Sequence, residues 1–245
     1  TTRVEIQALE SNGHRLIYAI RDGGQDEVQI RVRDLSSGTD LGDRLPSALY
    51  GGCSFGHNGA GFFYVRRSRQ IGPRVFFHRF GNRIEEDIVV FGDGYGPEHF
   101  ITMMPGPGVR SRLYAVQKGW ASTEVFLQTG EPGEGARPIV TGTGARFYPQ
   151  VVDGRLWMRT DLEAPNNRIV AVDVQNPARD RWRTVIPESQ DVIDDFRVIG
   201  DSVFVTYLHN VSSVIRVFRK NGTPTGELKV PPFHSTSLRG AGPGQ

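Results

Sequence analysis

The stretch RLIYAIRDGGQDEVQIRVRDLSSG, residues 15–38, decides the fold. An apolar run, Leu16-Ile17-Tyr18-Ala19, is followed by the turn chemistry of Asp22-Gly23-Gly24. Val28, Ile30 and Val32 come next, separated by Gln29 and Arg31, and Ser37-Gly38 closes the stretch. Apolar residues at every second position mark a strand with one buried face, and glycines between two such runs mark a hairpin. Period two means strand rather than helix.

The same succession returns along the chain. Turn-marking glycines recur at Gly13, Gly59, Gly108, Gly154, Gly200 and Gly244, roughly 44 to 49 residues apart. After five of them an apolar stretch follows: Leu16-Ile17-Tyr18, Phe62-Phe63-Tyr64, Leu113-Tyr114-Ala115, Leu156-Trp157-Met158 and Val203-Phe204-Val205. A second hairpin begins with Val75-Phe76-Phe77, Val125-Phe126-Leu127, Ile169 to Val174 and Val214 to Phe218. A fourth strand ends the unit, as in Ile88 to Phe91, Trp182 to Ile186 and Leu228 to Val230. Four antiparallel strands per repeat at this period are the blade of an all-β propeller, because helical and leucine-rich repeats need a shorter period or a 3.6-residue pattern. A blade cannot bury its faces alone and must stack on its neighbours. The period predicts one propeller domain over residues 1–245, with blades near 4–48, 50–96, 98–143, 146–191 and 193–233 and a partial blade at 234–245. Either about five blades close on themselves with the remnant as an extra strand, or the chain is a segment of a larger ring.

Composition narrows the function. The 29 basic and 27 acidic residues leave a formal charge of +2, too small a field to draw the chain to nucleic acid or anionic lipid. The densest basic stretch, Arg66, Arg67, Arg69, Arg74, Arg79 and Arg83, runs into Glu85, Glu86 and Asp87 and reads as a solvated face. With Cys53 alone there is no internal disulfide and no thiolate metal cluster. That suits a cytoplasmic origin while leaving the periplasm open. No apolar run approaches a membrane span, and the start at Thr1 without a Met suggests processing, excision or engineering.

Motifs for chemistry fail in their context. Gly52-Cys53-Ser54-Phe55-Gly56 matches the G-x-S-x-G nucleophile elbow, but that elbow needs a sharp turn into a helix, and here a further turn and strand follow. Gly92, Gly94 and Gly96 lead to Pro97 and a strand instead of a helix N-terminus, so they read as a turn between blades. The histidines, His14, His57, His78, His99, His209 and His234, show no metal-binding pairing, and Asp191, Asp194 and Asp195 read as a solvated turn rather than a calcium loop. No catalytic residue, metal or cofactor is expected in this chain.

Several stretches resemble the propeller of the prolyl oligopeptidase family of serine peptidases. They are Asp22-Gly23-Gly24-Gln25-Asp26, Phe76-Phe77-His78-Arg79-Phe80-Gly81 with Glu86-Asp87-Ile88-Val89, Asn166-Asn167-Arg168-Ile169-Val170, Val185-Ile186-Pro187-Glu188-Ser189, Tyr207-Leu208-His209-Asn210 and Gly240 to Gly244. Order and spacing agree over nearly the whole chain, which corresponds to about the second to the sixth of that family's seven blades. Glu27 replaces the family's usual Trp.

The resemblance implies a propeller that sits over an α/β-hydrolase catalytic domain, outside this chain, and admits only short proline-containing peptides. It also implies that Tyr50, Ile101, Gln117 and Trp120 line the substrate pocket. Gln117 stands where many members have a substrate-binding arginine, a departure that bears on peptide recognition. The competing reading has these four residues merely packing or lining the tunnel mouth. The alternative function is a stand-alone five-bladed binding module, with Trp120, Tyr95 and Phe100 as rim anchors. An isolated piece of a ring exposes faces that associate, so self-association is also expected.

Overall fold

The computed structural model describes residues 1–108 and 110–228. The expected partial blade at 234–245, His234, the Gly240 to Gly244 stretch and the end of the last expected strand lie outside the described residues. Nineteen strands and no α-helix occur among the described residues. Every pairing described between them is antiparallel.

The first sheet holds β1 (Thr2–Leu9), β2 (Arg15–Asp22), β3 (Val28–Asp34) and the front half of β4 (Thr39–Phe55). The back half of β4 opens the second sheet, which continues with β5 (Gly61–Ser68), β6 (Gly72–Arg79) and β7 (Ile88–Phe91). The third sheet is β8 (His99–Pro105), β9 (Ser111–Lys118), β10 (Ser122–Thr129) and β11 (Arg137–Val140). The fourth is β12 (Phe147–Val152), β13 (Arg155–Thr160), β14 (Arg168–Val172) and β15 (Arg183–Ile186). The fifth is β16 (Val192–Ile199), β17 (Ser202–His209), β18 (Ser212–Arg219) and β19 (Pro224–Leu228). These are five four-stranded antiparallel blades, the first two joined through β4.

The chain forms two compact units. Among the described residues, one comprises Thr1–Trp120 with Glu124–Pro138, and the other Ala121–Thr123 with those from Ile139 onward. In the first unit β5 shows how the blades stack. Successive side chains of a strand point to opposite faces. Phe62 and Tyr64 accordingly join a core with Ile17, Ile30, Val32 and Leu45 of the first sheet. Phe63 and Val65 join another with Ile101, Tyr114 and Val116 of the third. All four are at most 1 % exposed, and burying each contributes about 1.5–3 kcal/mol before the entropy cost of ordering it. In the second unit, Trp157, Ile169 and Val185 of the fourth sheet pack against Phe196, Val203 and Tyr207 of the fifth.

The last strand, expected from Leu228, begins earlier and includes Leu228. It runs from Pro224, where Arg219 N–H donates to Thr223 O (2.8 Å) across the Asn221-Gly222 turn and sets the register Phe218↔Pro224. Turn geometry rather than apolarity places it, and all five of its residues are exposed.

Candidate functional site

The four residues singled out from the sequence all lie in the first unit. Tyr50 sits on β4 opposite Arg66, just before a bulge between Tyr50 and Cys53. Gly51 and Gly52 occupy that bulge, Gly52 with φ +123. A Cβ on Gly51 would come within 3.2 Å of both Ile101 O and Val65 Cγ1, so a glycine here lets β4 approach β8 closely. That approach brings Tyr50 and Ile101 onto neighbouring inner strands. The Tyr50 hydroxyl donates to Pro46 O (2.8 Å), and its ring meets Tyr64 edge-on at 5.9 Å. Burial pushes the Tyr50 phenol well above its ordinary pKa, against the opposing pull of Arg66, so it remains a neutral donor.

Ile101 is only 4 % exposed and packs in the core between the second and third sheets. Its neighbour Phe100 is exposed and pairs with the half-buried Gln117 on β9. Trp120 is 89 % exposed in the turn between β9 and β10. The arrangement therefore offers an aromatic and amide surface, with Ile101 beneath it as packing.

Two groups at and near this surface were not singled out from the sequence. The guanidinium of Arg67 lies 3.8 Å over the Phe100 ring. Its Nη2 approaches Pro97 O at 3.4 Å, and its Nε is buried without a hydrogen-bond partner. The other group is a buried clasp on His78, which is 2 % exposed. Its Nδ1 lies 2.7 Å from Asp87 Oδ1 and its Nε2 3.0 Å from Asp43 Oδ1. Tyr64 donates its hydroxyl to Asp87 (2.8 Å), and Gly81 donates its N–H to Asp43 (2.6 Å). Asp43 belongs to the outer strand of the first sheet and His78 to β6 of the second, so the clasp fastens one blade to the next. Burial alone would lower the His78 pKa, but the hydrogen bonds to Asp87 and Asp43 outweigh it and hold the imidazole above its ordinary value.

The apparent nucleophile elbow is part of a strand. Ser54 lies within β4, and its Oγ donates to Met103 Sδ at 3.8 Å. Burial pushes the adjacent Cys53 thiol up to about 12, which leaves almost no thiolate for chemistry.

Comparison with known proteins assigns the architecture. The family model described as "Prolyl oligopeptidase, N-terminal beta-propeller domain" matches residues 1–242. The chain belongs to that family. A prolyl endopeptidase of Elizabethkingia meningoseptica is 24 % identical over 242 residues, covering 94 % of this chain and 34 % of that protein. A dual function macrocyclase-peptidase of Galerina marginata is 26 % identical over 247 residues, covering 89 % and 34 %. Among solved structures, a chain from a structural and mechanistic analysis of two prolyl endopeptidases superposes with a TM-score of 0.84 at 22 % identity, covering 94 % of this chain and 36 % of that one. Prolyl oligopeptidase B of Galerina marginata, bound to a 35mer hydrolysis and macrocyclization substrate, gives 0.77 at 19 %, covering 92 % and 35 %. The blades are thus those of a prolyl oligopeptidase propeller, and the chain spans about a third of the length of the curated relatives it matches.

Proposed function

We propose that this chain is the propeller of a prolyl oligopeptidase-like serine peptidase, and that it gates and size-selects peptides on their way to a separate α/β-hydrolase catalytic domain. The observation that carries the reading is the family match along residues 1–242 by a chain about a third as long as its relatives. In this reading Tyr50, Gln117 and Trp120 face the peptide, Ile101 supports them, and the substrates are short proline-containing peptides cleaved after proline. A cytoplasmic location fits the single cysteine.

The chain by itself is expected not to turn over a fluorogenic proline-containing peptide. Turnover abolished by a serine-directed phosphonate would overturn the reading. The full-length enzyme is expected to cleave such a peptide while sparing a folded protein, and deletion of residues 1–242 should remove that discrimination.

The exposed Trp120 and Phe100 favour a second reading, a binding module without a hydrolase. A gene map separates the two, because a hydrolase-coding region in frame downstream supports the first and a stop codon soon after Gln245 the second. In either reading the exposed Val4, Ile6 and Leu9 of β1 are a surface for self-association of the isolated chain.

A further inference from the structure

We infer that Arg67 forms a carboxylate-recognition site that makes the peptide-facing surface selective for short peptides bearing a carboxylate. The inference rests on the reading of that surface given above. It begins from an inequality among the arginines of β5, β6 and the turn between them. Arg69 lies 3.7 Å from both Asp26 and Glu27, and Arg74 reaches Asp93 (3.5 Å) and Tyr95 O (2.9 Å). Among the described residues, Arg66 and Arg67 have no carboxylate partner.

A guanidinium has five N–H donors in a rigid planar fork. Arg67 uses them for a single long contact to Pro97 O, and its Nε finds no acceptor. The ring of Phe100 holds the plane of the fork by stacking, which lowers the ordering cost of meeting a planar anion edge-on. A carboxylate accepts two parallel N–H bonds from such a fork.

The surroundings favour an anion. Lys118 is exposed, lies opposite His99 and follows the Gln117 that pairs with Phe100. The nearby carboxylate Glu98 is already 3.2 Å from His99 Nδ1. Two cations without a carboxylate partner among the described residues, Arg67 and Lys118, thus lie on the elements that hold Phe100 and Gln117, in a chain whose net charge is only +2. Phe100, stacked beneath the fork, adds an apolar contact of the kind a peptide's terminal side chain needs. Gln117, paired with Phe100, is neutral. The positive charge at this surface comes from the adjacent second sheet and from Lys118, not from position 117.

The carboxylate could belong to a peptide's C-terminus or to an acidic side chain, and one titration separates them. The isotopically labelled chain is titrated with an N-acetylated proline-containing tetrapeptide as the free acid, with its C-terminal amide, and with an amide of the same length carrying a Glu side chain. The reporters are the Trp120 indole and Gln117 amide N–H signals. The free acid is expected to bind about fivefold more tightly than the plain amide, an exposed charge-assisted contact. Arg67→Gln should abolish that difference and Arg67→Lys should restore part of it, since an ammonium lacks the fork. The Glu-containing amide binding as well as the free acid would assign the site to side-chain carboxylates. Equal affinity for the free acid and both amides, or a difference that survives in Arg67→Gln, overturns the carboxylate site and leaves the peptide-facing reading intact. Failure of all three peptides to move either reporter overturns both.

Discussion

Carboxylates face both ring nitrogens of His78, Asp87 at Nδ1 and Asp43 at Nε2, and so favour the doubly protonated ring. Tyr64 and the Gly81 N–H donate to the same two carboxylates and complete the shell. The folded pKa is raised above the unfolded value, so the stabilisation is fully present below the unfolded pKa of about 6.5 and is lost as pH rises through the folded pKa. Thermal melting is therefore expected to fall as pH climbs from about 6.5 through the raised folded pKa. His78→Gln should cost about 3 kcal/mol below a pH of about 6.5, where two buried carboxylates lose their cation, and should flatten this part of the pH profile. An unchanged slope in the variant would show that another group titrates.

The motif around His78 was legible in the sequence, but its two carboxylates were not, since Asp43 is 35 positions away and arrives only when two blades stack. Arg67 was hidden for the opposite reason. In a run of six arginines and three acids, the sequence cannot tell which cations the fold will leave without a partner.

At the scale of elements, alternating stretches such as Val28, Ile30 and Val32 announced their strands because one face of each is buried and the other is not. β5 did not alternate: Phe62, Phe63, Tyr64 and Val65 are all buried, as befits a strand with a blade on both sides. Turn glycines can be sorted by what surrounds them. Gly72, at φ +87, has no room for a side chain, since a Cβ would lie 2.4 Å from Tyr95 O and 2.5 Å from Gly96 backbone. Gly119, at φ +52, has open space around it. In urea denaturation, Gly72→Ala is expected to cost more than about 3 kcal/mol, combining clash with strain, and Gly119→Ala only about 1 kcal/mol. Similar losses at the two positions would contradict the close approach of the β7–β8 connection to Gly72.

On the scale of the whole molecule, the repeat period made the blades readable, whereas the grouping into two compact units follows from packing that no single repeat encodes. The proposed self-association belongs here as well. Sedimentation of the isolated chain is expected to show concentration-dependent association, and Ile6→Lys, at a position 68 % exposed, should shift it toward monomer while leaving the fold unchanged. A monomer at every concentration would remove β1 as a sticky face.

The unbroken run of β4 from Thr39 to Phe55 passes through Pro46 and the Gly51-Gly52 pair, residues that ordinarily end a strand. One ribbon thus serves as the rim of one sheet and the hub of the next. For an engineer seeking new termini, a split-reporter junction or a place to graft a tag, this is the connection to leave untouched. The turn between β3 and β4 at residues 36–38, exposed and with open space around Gly38, is the more forgiving place to cut.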